Sequence, residues 1–269
     1  MERLPYIAVL AAYALSTVAH LLPSLVGEAL AARARTVAVI GAVLHAITLL
    51  VAVRLGPWGP GFPEALSATS LGIVVAYAWV ARGRRLRSLG MLLVPLALVM
   101  LGTAMVVPHR QVAALELTGF SAWLPIHLGL VFVGIAGFAL SGAVGLTYLW
   151  ARHRLKQKRL AGIAHLPSLE VLDRIQFRAM LFGFVFLTLG IGAGGAWAAA
   201  SLQETWTIDP KVWFTLLIWF WYGVALQLRL VAGRRGRWTA LFSIVGFAGL
   251  VFSLLGVNFL VSGWHGYAG

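Results

Sequence analysis

The stretch that decides the fold runs from Trp123 to Ala151, WLPIHLGLVFVGIAGFALSGAVGLTYLWA, and contains no lysine, arginine, aspartate or glutamate. About 20 apolar residues suffice for a helix to cross a hydrocarbon core of roughly 30 Å, and this run exceeds that length. Directly after it comes Arg152-His153-Arg154-Leu155-Lys156-Gln157-Lys158-Arg159, a basic cluster of the kind that marks a cytoplasmic membrane face. The run is continuously apolar rather than alternating, which selects a helix over a barrel strand.

Working outward, the same criterion finds seven more stretches, giving spans near 5–26, 36–55, 66–82, 88–107, 123–151, 177–201, 210–232 and 238–263. The expected fold is all-α: a polytopic integral bundle of eight transmembrane helices in the cell (plasma) membrane. No polar linker or repeat divides the spans, so 1–269 reads as a single transmembrane domain. Composition agrees, with 61% apolar and 11% charged residues and a mean hydropathy of +0.90, against roughly 25% charged in soluble domains. Eight carboxylates in the whole chain leave little scope for carboxylate-pair hydrolysis. The absence of cysteine removes disulfides, thiolate metal sites and thiol nucleophiles. The first stretch follows Met1-Glu2-Arg3-Leu4 without an obvious small-residue cleavage site and is too long for a signal h-region, so it reads as a span.

All but four of the 21 lysines and arginines fall in or beside the loops after spans one, three, five and seven. The exceptions are Arg3, Arg54, Arg110 and Lys211. The excess of basic residues belongs on the cytoplasmic side, which puts both termini outside. The net charge of +13 is then a topology signal, with contact to anionic lipids at the basic inner loops, rather than a nucleic-acid footprint. Small residues at Gly137, Ser141 and Gly145 in span five, and at Gly190 and Gly194 in span six, predict backbone-to-backbone packing. Ser168, after Pro167, is placed to cap a short helix leading into span six.

With few carboxylates and no thiols, the seven histidines are the main ligands and proton carriers. His153 and His165 in the basic loop, and His109 in the outer loop, read as solvated. His20, in the lower half of span one, is either an intramembrane functional group or, more in keeping with its low cost, a neutral imidazole bonded to a backbone carbonyl. His45, near mid-membrane depth, is divided evenly between packing and function. His127, at the outer start of span five, and His265, at the outer end of span eight, share one depth on one face. Trp58, Trp123, Trp197, Trp206, Trp213 and Trp264 gather in the same outer layer. An interfacial belt accounts for part of this, but a belt populates both interfaces, and the inner one has only Trp79, Trp150 and Trp238. Two neutral imidazoles over an aromatic shelf suit a flat macrocycle such as haem, non-covalently held haem b, with His127 and His265 on the iron. Lys211 and Arg54 are then placed for the propionates. Zinc fits less well, because it wants three or four clustered donors and this face offers two histidines and Asp209.

One set of residues is similar to a known family. Trp206-Thr207-Ile208-Asp209-Pro210-Lys211, then Thr215 to Trp219 and Tyr222, then Gly233-Arg234-Arg235-Gly236-Arg237, resembles the tryptophan-rich signature of the cytochrome c assembly membrane proteins of CcsA and HemX type. Leu44-His45 leading to Arg54, Phe62-Pro63, Ser67, His127, Leu166-Pro167-Ser168-Leu169-Glu170 and Trp264-His265-Gly266-Tyr267 extend the likeness over most of the chain. The resemblance implies an external haem site with His127 and His265 as axial ligands, supported by the tryptophan-rich loop. It makes His45 the intramembrane histidine associated with haem passage, a possible second iron ligand. Leu202 and Ile208 stand where the fuller loop has tryptophans, Gln203 where it has glycine and Val212 where it has an acidic residue. These departures lean toward the short HemX-type branch.

Three functions remain open from sequence. The first is a haem-binding assembly or transfer protein, which forms a cytochrome c synthase only with a separate membrane partner and apocytochrome c and is not an enzyme on its own. The second is a non-catalytic regulator or scaffold of haem biosynthesis. The third is other intramembrane chemistry, such as a serine hydrolase at Ser141-Gly142, for which no histidine stands at matching depth.

Overall fold

The computed structural model describes residues 3–22, 28–55, 62–107, 123–159, 163, 166–201 and 210–257. Trp206, Asp209, Trp264 and His265 lie outside the described residues, as do Trp58, His109, His165 and the side chain of Trp123. Among the described residues every regular element is helical. In lipid each backbone N–H and C=O must be satisfied within the segment, and a continuously apolar run does this as a helix. The helices are α1 (Arg3–Leu21), α2 (Glu28–Leu55), α3 (Phe62–Val80), α4 (Gly90–Val106), α5 (Trp123–Lys156), α6 (Leu169–Ser201), α7 (Pro210–Leu230) and α8 (Arg237–Val251). A 3-10 turn, Arg84–Leu89, leads into α4, and a π-helical turn, Phe252–Val257, continues α8. Seven of these segments are long and apolar enough to cross a membrane, and Pro5–Leu21 is a shorter apolar helix. The chain is a multi-pass membrane protein.

Three helices run well past the hydropathy boundaries, while α3 and α7 stop two residues short of theirs, at Val80 and Leu230. α2 starts at Glu28 rather than 36 and α6 at Leu169 rather than 177, while α5 runs on to Lys156. Hydropathy marks the hydrocarbon edge, whereas helical hydrogen bonding continues past it through good helix formers such as the Ala-Arg run of residues 31–35. Ser168 is therefore the cap of α6 itself and not of a separate short helix: Val171 N–H points at its Oγ at 3.4 Å. Pro210 opens α7, where its missing N–H costs nothing.

The chain forms two compact units. In the first (1–111 with 164–167), α1 packs on α2 and α4, and α3 on α4 and α2. Buried hydroxyls bond across to neighbouring backbones: Ser16 Oγ donates to Ala34 O at 2.9 Å and Ser70 Oγ to Ala97 O at 2.8 Å. In the second (112–163 with 168–269), α5 and α6 make the most extensive helix pair, and α8 packs on α5 and α7. Gly137 lets these backbones meet, since a Cβ there would lie 2.9 Å from Gly183 Cα. The core of this unit includes Phe138 stacked on Tyr222 at 3.7 Å and a Ser141–Ser243 hydroxyl contact of 2.9 Å.

At the basic end of the second unit, Arg229 has a task beyond topology. Its Nη1 and Nη2 donate to the two carboxylate oxygens of Asp173, each at 2.7 Å, and its guanidinium lies 4.4 Å above the Phe177 ring. Gly236 N–H donates to Asp173 Oδ1 at 2.9 Å. The turn leading to α8 needs glycine: Gly233 and Gly236 have φ of +64° and +66°, the left-handed region. A Cβ on Gly236 would also stand 2.6 Å from Tyr148 Oη.

Candidate functional site

The second unit holds His127, Trp197, Lys211 and Trp213, in the segments where α5 begins, α6 finishes and α7 begins, whereas Arg54, expected beside Lys211, belongs to the first unit. His127 lies in the second turn of α5, and its ring reaches α6. Its Nδ1 is 2.7 Å from Gly190 O. A carbonyl can only accept, so Nδ1 carries a proton and donates it to Gly190 O. That is the arrangement of metal-binding imidazoles, which commonly donate the second ring N–H to a carboxylate or carbonyl. Near the end of α6, Trp197 is half-buried, while Lys211 and Trp213 stand in the first turn of α7 with Trp213 63% exposed. Thr215 Oγ1 donates to Lys211 O at 2.7 Å.

Other aromatic residues of α7 pack it onto its neighbours. Trp219 Nε1 donates to Thr188 Oγ1 at 2.9 Å and its ring stacks on Phe184. Trp221 Nε1 donates to Phe242 O at 2.9 Å, and Tyr222, fully buried, donates to Ser243 O at 3.3 Å. Among the described residues no group of three or more His, Cys, Asp or Glu side chains converges on a metal position.

The histidines of the first unit are held differently. His45 is completely buried, with Nε2 2.9 Å from Ser67 Oγ and Nδ1 3.2 Å from Tyr13 Oη. The Tyr6 and Tyr13 rings meet it edge-on. Both nitrogens are thus engaged, by α3 and α1, and ligation through either requires one bond to open. His20 donates Nδ1–H to Ser16 O at 2.7 Å, and its Nε2 is 2.8 Å from Tyr77 Oη. This is the carbonyl-bonded imidazole expected from sequence. Arg54 is exposed in the last turn of α2. His153 is exposed on α5, bonded to Gln157.

Sequence reasoning missed the acceptor role of Gly190. It had counted that glycine only as a packing residue, and nothing in spacing tells a helix-packing glycine from one whose carbonyl holds an imidazole.

Comparison with known proteins agrees with this pattern. The cytochrome c biogenesis protein CcsA of Prochlorococcus marinus (strain MIT 9312) is 30% identical, over 55% of this chain and 54% of its own. That of Prochlorococcus marinus (strain MIT 9301) is 27% identical over 76% and 74%, and that of Parasynechococcus marenigrum (strain WH8102) 32% identical over 55% of each. In the first and last of these matches the chain spans about half the relative's length. Residues 60–265 match the family of the cytochrome C assembly protein. With most of its length, every described helix from α3 onward and His127 inside that match, the chain belongs to the cytochrome c assembly protein family.

Proposed function

We propose that the chain acts in cytochrome c biogenesis by holding haem b, non-covalently, at the end of the second unit where α5 begins and α6 finishes. One observation carries this reading: His127, inside the family match, has its Nδ1 2.7 Å from Gly190 O, the carbonyl-oriented arrangement common among metal-binding imidazoles. In this reading His265 supplies the second axial nitrogen. Trp123, Trp197, Trp206, Trp213 and Trp264 form an apolar shelf for the macrocycle, and Lys211 meets a propionate. Asp209, in the same tryptophan-rich stretch of the sequence, belongs to this haem-binding set. Haem is the cargo, and its vinyl groups are where thioether bonds to an apocytochrome c form, with a separate membrane partner completing the synthase. This chain's own residues bind, orient and shield.

His45 enters as a buried imidazole shared between Tyr13 and Ser67. A role as second iron ligand requires the Ser67 or Tyr13 bond to open, and its test is the stability comparison in the Discussion. Anionic lipids are the partners of the basic loops.

The experiment replaces His127 and His265 by alanine, singly and together, and measures haem copurified with the chain and cytochrome c maturation in cells. Loss of both in each variant is expected. Unchanged haem and maturation in all three variants would leave a regulator or scaffold of haem biosynthesis as the better account.

A further inference from the structure

The α5–α6 seam changes character along its length. Toward its middle, glycines allow backbone to meet backbone. A Cβ on Gly134 would lie 3.0 Å from Leu187 N, and one on Gly137 would lie 2.9 Å from both Gly183 Cα and N. One on Gly190 would lie 3.2 Å from Val131 N. At Gly194 the neighbour is no longer backbone. A Cβ there would fall 2.6 Å from both Cε1 and Nδ1 of His127 and 3.4 Å from Cγ, and those three ring atoms are its nearest neighbours. Gly192 and Gly195, on other faces of the same helix, have nothing within 4 Å among the described residues.

Helix geometry places residues 190 and 194 one above the other on one face of α6. The imidazole therefore lies across the hollow left by Gly194 and donates to the carbonyl one turn below, at Gly190. The ring cannot be lifted by separating the helices, because the glycine contacts nearer the middle hold the two backbones together. A methyl group at 194 must instead turn the ring, which breaks the Nδ1–H bond to Gly190 O that orients the imidazole.

We infer that Gly194 is a positioning residue for His127: its missing side chain leaves the space in which the imidazole donates to Gly190 O, and so fixes the orientation in which the ring meets haem. The inference rests on the haem-holding reading above. Loss of the hydrogen bond that orients a metal-bound histidine typically lowers affinity by roughly tenfold to a hundredfold, and that is the loss of haem affinity expected for Gly194→Ala.

The test uses the full chain in detergent and has a haem-free arm and a haem arm. In the first, thermal unfolding is measured for wild type, Gly194→Ala, His127→Ala and the double variant. Gly194→Ala should lower the unfolding temperature when His127 is present and have little effect when it is alanine, because the clash partner is gone. The double variant also keeps the question answerable if Gly194→Ala alone folds poorly. In the haem arm, Gly194→Ala should weaken haem binding as His127→Ala does, with partial rescue by imidazole, whereas Gly192→Ala should match wild type. Equal destabilisation by Gly194→Ala in both backgrounds overturns the inference. So does normal haem binding by Gly194→Ala when His127→Ala has lost it. Normal haem binding by His127→Ala is a different result, which removes the haem reading itself.

Discussion

At the scale of the residue, the contrast between His127 and His45 carries most of the meaning. Both are single histidines in apolar helices, and sequence depth alone gives each a claim to a ligand role. The structure separates them by their partners. His127 is oriented by a backbone carbonyl through Nδ1, while His45 is bonded at both nitrogens to Tyr13 and Ser67. Removing the His45 ring leaves two buried hydroxyls seeking partners, at about 1–3 kcal/mol for each unsatisfied group in water-soluble proteins. Interhelical hydrogen bonds within membranes average nearer 0.6 kcal/mol, so His45→Ala is expected to cost about 1–3 kcal/mol in total, read from unfolding in detergent. Haem loss with unchanged stability and rescue by imidazole would show instead that His45 is a ligand. The sequence revealed the depth of each histidine. It did not reveal Ser67 or Tyr13 as partners of His45, because those neighbours come from other helices, 22 and 32 residues away in the chain.

At the scale of the element, helix identity was legible and helix ends were not, because hydropathy reports the lipid boundary while capping and propensity set the last turn. The small-residue faces of α5 and α6 were readable from four-residue spacing. Gly183, seven residues before Gly190 and so two turns away on the same face, completes the seam. Gly183→Leu is expected to force the pair apart and cost about 1–3 kcal/mol, because Phe138 and Gly134 O stand within 2.9 Å of the new Cβ. Gly192→Leu should be nearly silent in the same unfolding assay, and equal losses would refute the seam. Charge was only half legible: the basic residues before α8 signalled an inner face, yet Arg229 is spent in a buried pair with Asp173. Asp173→Asn leaves that guanidinium without its counter-ion and should destabilise the chain by roughly 3 kcal/mol. Stability within about 0.5 kcal/mol of wild type, the range typical of surface substitutions, would show that the pair contributes little.

At the scale of the whole molecule, hydropathy gave a multi-pass helical membrane protein, and the contacts add that it is built as two compact units, the first ending near Gln111 and the second opening near Val112. That division was hidden in the sequence, since the stretch between α4 and α5 is not conspicuously polar. The absence of cysteine makes orientation testable with single introduced thiols. In intact cells a cysteine at Gln157 should resist a membrane-impermeant maleimide, while one at Pro108 should react. The reverse pattern would put the His127 end of the second unit on the cytoplasmic side. The central claim is that His127 is an axial ligand of haem iron, and titration of haem into the detergent-purified chain, followed by visible absorption, tests it most directly. The account predicts a low-spin, two-nitrogen spectrum for wild type that becomes high-spin or disappears in His127→Ala and partly returns with imidazole. A wild-type chain that leaves the haem spectrum unchanged, or a His127→Ala chain indistinguishable from wild type, would contradict it.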